Sequence, residues 1–191
     1  MLNSQEYRID LVNSFFHSYL NRPADPLALS TYVGALNGGA TDEMVQAPIL
    51  GSDEYFLSRS ANSNQGYLNA LFLDLLNRPP DQASIDTFLT LLGSGGTRSQ
   101  VAGILLGSAE YDTLLVTGYY SRFLRREPDS AGLNGFVSEL QPPNNARDEQ
   151  VIAQILGSEE YFRVAQTIPE PATWTLLVLG SALTLLRRRR S

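Results

Sequence analysis

Four side-chain types recur in this chain at fixed spacing, and between them they could hold a charge or a sugar. Arg22 and Asp25 stand in Leu-Asn-Arg-Pro-Ala-Asp (20–25), Arg78 and Asp81 in Leu-Asn-Arg-Pro-Pro-Asp (76–81), and Arg126 and Asp129 in Leu-Arg-Arg-Glu-Pro-Asp (124–129). Glu54 and Tyr55, Glu110 and Tyr111, and Glu160 and Tyr161 close three Gly-Ser-x-Glu-Tyr motifs that begin at Gly51, Gly107 and Gly157. A guanidinium in register with carboxylates would suit a repeated ligand or cation site, and a tyrosine would suit stacking on a sugar ring. Repetition argues instead for a structural duty, because an active site rarely triplicates. Each aspartate is expected to cap the helix that follows it. Each arginine is expected to pair with a glutamate such as Glu54, Glu110 or Glu160, or to cover helix carbonyls. The tyrosines are expected to be half-buried packing anchors, and Ser52, Ser108 and Ser158 to be caps rather than nucleophiles, since no base stands near them.

Other chemistry is excluded by composition. There is no cysteine, which removes disulfides, thiolate metal sites and thiol nucleophiles. His17 is the one histidine, which removes His-pair metal sites and argues against a His-based triad. By its offset from the motif, where the second copy has Leu73, it is expected at the surface or its boundary. Gly93-Ser94-Gly95-Gly96 lacks the lysine of a phosphate-binding loop. Asp53-Glu54 and Glu159-Glu160 are acidic pairs without the alternating oxygen ligands and turn glycine of a calcium loop. No catalytic residue, cofactor or metal is therefore expected. All 14 basic residues are arginine, and four of them are Arg187, Arg188, Arg189 and Arg190. Residues 1–168 carry ten arginines against nineteen carboxylates, an acidic balance that argues against nucleic acid as a partner.

The elements that must place these residues read as helices. From Asp25 to Tyr55 and from Asp81 to Tyr111 is 30 residues; from Asp129 to Tyr161 is 32, the excess falling in the turn-rich Gln141–Asn145. An aromatic follows each aspartate by seven residues (Tyr32, Phe88, Phe136) and a leucine by eleven (Leu36, Leu92, Leu140). Leu11, Phe15, Phe16, Tyr19 and Leu20, and Leu68, Leu71, Phe72, Leu75 and Leu76, have helical spacing. Asn-Arg-Pro at 21–23 and 77–79 should stop the first helix of those copies, because the residue before a proline is pushed out of the α region. Glycines at 38–39 and 93–96 should end the second helix, with Thr41 and Thr97 capping the third. No stretch alternates with period two. The fold class is all-α: tandem small modules of three to four helices, followed by a C-terminal hydrophobic, transmembrane-like helix. The expected divisions are 1–56, a partial repeat end plus the first repeat; 57–66, a Ser- and Asn-rich linker; 67–111, the second repeat; 112–165, the third; and 166–191, a tail. Ser4-Gln5-Glu6-Tyr7 repeats the end of a module, so the sequence is expected to begin inside a repeat, with no basic-then-apolar export signal ahead of it.

The tail has its own grammar. Pro169-Glu170-Pro171 opens it, residues 172–186 carry no charge, and the arginine cluster closes it. As a helix the uncharged run would reach about 22 Å, with Trp174 as an interfacial anchor and the snorkelling arginines extending its span. The positive end is expected to stay cytoplasmic, leaving the body outside.

The order Pro-Glu-Pro, apolar run, arginine cluster resembles the PEP-CTERM sorting signal of Gram-negative bacteria. That resemblance implies export, a membrane exosortase-like processing enzyme as partner, and removal of the tail near Pro169–Pro171. It implies residence in the inner membrane during sorting, then at the cell surface or in an extracellular matrix with exopolysaccharide. Over about residues 4–163 the repeats resemble a bacterial domain of unknown function, family 4214, and less closely the helical linker domains of phycobilisomes. The family carries no assigned catalytic residues. The expected function is non-catalytic interaction with surface proteins, a like copy or exopolysaccharide, with the Tyr/Glu ends of the modules as the contact surface. The alternatives are a polysaccharide-acting enzyme using paired carboxylates, which needs two of them about 5–9 Å apart in a cleft, and a permanently anchored single-pass membrane protein.

Overall fold

The computed structural model describes residues 4–166, and every regular element among them is helical. In chain order these are α1 (Gln5–Leu20), α2 (Pro26–Asn37), α3 (Asp42–Leu50), α4 (Asp53–Arg59), α5 (Asn64–Leu76), α6 (Gln82–Gly93), α7 (Arg98–Leu106), α8 (Ala109–Tyr119), α9 (Ser130–Leu140), α10 (Asp148–Leu156) and α11 (Glu159–Gln166). α8 continues directly into a π-helical turn, Tyr120–Leu124. Among the described residues no helix is long and apolar enough to cross a membrane. The tail residues read as a sorting motif and membrane stop, Pro169, Glu170, Pro171, Trp174 and Arg187 to Arg190, lie outside the described residues.

Helix starts are fixed by short polar side chains. Asp25, Asp81 and Asp129 accept the backbone N–H three residues on, at 2.9, 2.8 and 2.8 Å. Thr41 and Thr97 cap α3 and α7, and Ser52, Ser108 and Ser158 cap α4, α8 and α11. Ser4 caps α1 in the same way, so the N-terminal motif fragment behaves like its full copies. Each cap satisfies a backbone donor that the helix itself cannot. Helix ends differ from expectation by one residue. Asn21, Asn77 and Arg125 adopt left-handed backbone (φ 54°, 54° and 57°), so the chain leaves the helix just before Arg22, Arg78 and Arg126.

Two of the expected divisions look different in the folded chain. The stretch 57–66, read as a linker, is helical at both ends, and only 60–63 are not. Ser60 is buried there, its hydroxyl bonded to the Phe56 carbonyl. Gly66 runs so close to the Ser60 carbonyl that a Cβ would lie 1.9 Å from its oxygen, so only glycine lets this turn close. The division at 111/112 falls inside α8, which is at once the last helix of the second copy and the first of the third. α1 and α8 with its π-helical turn are thus equivalent, both starting at a Ser-x-Glu-Tyr motif. The eight extra residues after Tyr55 split that helix into α4 and α5.

The first two copies share a single core. Val12, Phe16, Val45, Leu50 and Tyr55 pack in one cluster with Leu68, Leu71, Phe72, Val101 and Leu106. Its centre is the pairing of the equivalent helices α3 and α7, where Ala47 faces Gly103 and Gly51 abuts the Ser99 backbone. The third copy has its own smaller core of Val116, Tyr120, Leu124, Val151 and Ile155, with Phe136 and Tyr161 against it. α8 joins the two cores, with Tyr111 and Leu114 packed on the first and Val116 in the second.

Candidate functional site

Arg22, Asp25 and Glu54 line a shallow cleft of about 260 Å³, but each recurrent arginine is engaged by partners within the chain. Arg22 is held by Glu54 in a fork, Nε to Oε1 at 2.5 Å and Nη2 to Oε2 at 2.6 Å. Arg78 takes Glu110 and Arg126 takes Glu160 with the same two nitrogens, the Nη2 bonds being 2.8 Å in each. The remaining nitrogen, Nη1, donates to the carbonyl of the next residue: Pro23, Pro79 and Glu127. Beneath each guanidinium lies an aromatic ring, Phe16 at 5.1 Å, Phe72 at 5.3 Å and Tyr120 at 5.0 Å. Those rings pack in turn on the aromatics seven residues after the aspartates, Phe16 on Tyr32, Phe72 on Phe88 and Tyr120 on Phe136. The unit is a staple that ties the end of one helix to the start of another 32 to 34 residues on. Donation from arginine holds the Glu54, Glu110 and Glu160 carboxyls below their ordinary range.

All three nitrogens of each guanidinium are engaged, which leaves two of its five N–H donors, one on Nη1 and one on Nη2, for anything else. Asp25 and Asp129 lie 3.8 Å from the arginine of their own copy, and their oxygens serve the caps. The aromatic six residues before each arginine is the member of the unit that motif reading missed. It recurs as faithfully as the others, but as part of an apolar helix face it is indistinguishable from ordinary core.

Of the three motif tyrosines Tyr55 is buried more deeply than expected, while Tyr111 is half-buried. Tyr55 is fully enclosed, edge-on to Tyr19 and Tyr67, and its hydroxyl donates to Asp74 Oδ2 at 2.8 Å. Tyr19 and Tyr111 both donate to the buried Gln46 Oε1, at 2.6 and 3.4 Å. Burial raises the hydroxyl pKa of all three. At the Tyr/Glu ends of the modules, read as the contact surface, Tyr55 and Tyr111 thus pack onto the larger core. Tyr161 is half-buried against the third core. The acidic pairs are also engaged: Asp53 with Arg98, Glu54 with Arg22, Glu159 with Arg163 and Glu160 with Arg126. Among the described residues no group of three or more His, Asp or Glu side chains could hold a metal ion. His17 is exposed on α1.

Two carboxylates stand apart from these pairings. Asp42 and Asp148 are the first residues of α3 and α10, and both are buried. Burial, with Glu149 and Glu43 as like-charged neighbours of both and Asp42 as a further one of Asp148, pushes Asp42 up to about 7 and Asp148 up to about 8. Tyr119 hydrogen-bonds Asp148, and Arg147 spans to the Gly39 carbonyl, fastening the third copy to the first. Next to this junction a cleft of about 450 Å³ opens between α3, the α7–α8 corner and the α9–α10 loop.

Residues 46–115 match the family model described as Domain of unknown function (DUF4214). The matched segment runs from within α3 to within α8. It contains the second copy's Arg78 and Asp81 together with the Gly-Ser-x-Glu-Tyr motifs at 51–55 and 107–111, so its frame is offset from the copies by half a module. No curated protein and no solved structure matches the chain.

Proposed function

We propose that the chain is an exported, non-catalytic interaction protein whose helical body is delivered to the cell surface or its matrix by the C-terminal sorting tail. The observation that carries this reading is the compound order Pro169-Glu170-Pro171, uncharged 172–186, Arg187–Arg190. The body's geometry supports the non-catalytic half. Its repeated polar residues are consumed in caps and staples, and its acidic pairs are tied to arginines. Its action is non-covalent contact with a surface protein or matrix polymer.

The test is a transplant. An exported reporter carrying residues 167–191 at its C-terminus is expressed in a bacterium with an exosortase-type enzyme, and its intact mass is read. The expected result is loss of the tail at or near Pro169–Pro171, abolished when the three residues are changed to alanine. An uncut fusion retained in the membrane would make the tail a permanent anchor; an uncut soluble fusion would remove the sorting reading.

A further inference from the structure

We propose that the cleft where the three copies meet is a docking site for a peptide segment that carries a basic side chain between aliphatic ones. This deepens the interaction reading above and rests on it, but not on how the tail is processed. The cleft is walled by one element from each copy, and its volume of about 450 Å³ is that of a small-ligand site, too small for a folded domain. Its floor is apolar: Met44, itself 66% exposed, with Ala47, Leu106 and Leu140. Gly103 leaves the floor open, the nearest atom to a Cβ there being Ala47 Cβ at 3.9 Å.

The charge at the rim selects the partner. Glu43 and Asp112 line the cleft, and among the described residues no arginine or histidine does. Asp112 is 5% exposed; one of its oxygens accepts from Gln141 Nε2 at 2.6 Å, and burial holds its carboxyl above the ordinary value. Leu106 and Leu140, the last residues of α7 and α9, line the same cleft, which places the negative ends of those two helices at its edge. α3 and α8 begin at the cleft too, and their positive ends are met by acids in their own first turns, Asp42 and Glu43 in α3 and Glu110 and Asp112 in α8. An anion would be repelled here. A purely apolar occupant would strip water from carboxylates without replacing it. A guanidinium or ammonium group beside aliphatic side chains satisfies both the rim and the floor, and the pliable Met44 suits a flexible peptide.

The test uses the full chain, kept in solution with a neutral maltoside detergent at low salt. Fluorescein-labelled Leu-Leu-Arg-Leu-Leu amide is titrated by anisotropy beside the same peptide with neutral citrulline in place of arginine. The expected result is saturable binding of the arginine peptide and at least roughly fivefold weaker binding of the citrulline one. Glu43→Gln should narrow that gap by roughly three- to tenfold. Met44→Ala should weaken both peptides alike. Both changes are on exposed or half-exposed positions, and an unchanged melting curve checks that the fold is kept. Absence of saturation up to about 1 mM, equal affinity for the two peptides, or indifference to Glu43→Gln would overturn the proposal. Two further results would overturn its choice of partner. Displacement by a peptide of residues 183–191 at lower concentration than the unlabelled probe would assign the cleft to the chain's own arginine segment, and a dimer dissolved by the probe would assign it to a second copy. Failure of the peptide to bind leaves tail removal untouched, since that is read by mass.

Discussion

At the scale of single residues the arginine staple is what joins each copy's first helix to its last. Arg78 makes a forked pair with Glu110, a bond to the Pro79 carbonyl and a stack on Phe72, all on a side chain that is 40% exposed. Exposure keeps each contribution small, so Arg78→Ala is expected to cost about 1–2 kcal/mol by denaturant unfolding. Arg78→Lys should recover less than half of that, because an ammonium cannot fork to a carboxylate and lie flat on a ring together. A neutral Arg78→Ala would show that the repeated pair is ornament. The pairing of Arg22, Arg78 and Arg126 with Glu54, Glu110 and Glu160 is legible in the sequence, since charge and spacing both point to it. Phe16, Phe72 and Tyr120 are not legible as its floor, because a helical period says that a residue is inside without saying which polar group rests on it.

At the scale of helices, close approach and buried charge decide the behaviour. α3 and α7 come together at Gly51, where a Cβ would sit 2.5 Å from the Ser99 nitrogen. Gly51→Ala must therefore push the two helices apart, at a cost of about 1–3 kcal/mol measured by thermal or denaturant unfolding. The buried starts of α3 and α10 make stability depend on pH. In the unfolded chain Asp42 and Asp148 ionise near pH 4; in the folded protein they keep their protons until about 7 and about 8. Across that window the folded state binds more protons, so stability falls as pH rises. Glu54, Glu110 and Glu160 act oppositely, their lowered values adding stability that is lost as pH drops below their unfolded range. The melting temperature should therefore peak in mild acid and decline by several degrees toward pH 8. Asp42→Asn with Asp148→Asn should flatten the decline; a double variant that declines as steeply would place the titration elsewhere. The caps at Asp25, Asp81, Asp129, Thr41 and Thr97 are legible because capping is local chemistry. Burial of Asp42 and Asp148 is not, because it comes from packing between copies more than a hundred residues apart.

At the scale of the whole molecule the three copies are not three equal domains. The first two form one body around α3 and α7, and the third sits on a smaller core reached through α8. Leu71→Ala in the larger core is expected to cost about 2–5 kcal/mol, raising hydrogen exchange in α1 through α7. Ile155→Ala should raise it chiefly in α9 to α11. Uniform acceleration by both would mean a single cooperative unit. Repeat counting reveals the number of copies but not this division, since motif spacing records where a module recurs and not which modules share a core. The functional claim reaches beyond the body to the tail. Its most direct test is the intact mass of the native protein from membrane and extracellular fractions of its host. The account predicts an extracellular species lacking the mass beyond the Pro169–Pro171 region. A full-length product confined to the cytoplasm would contradict it.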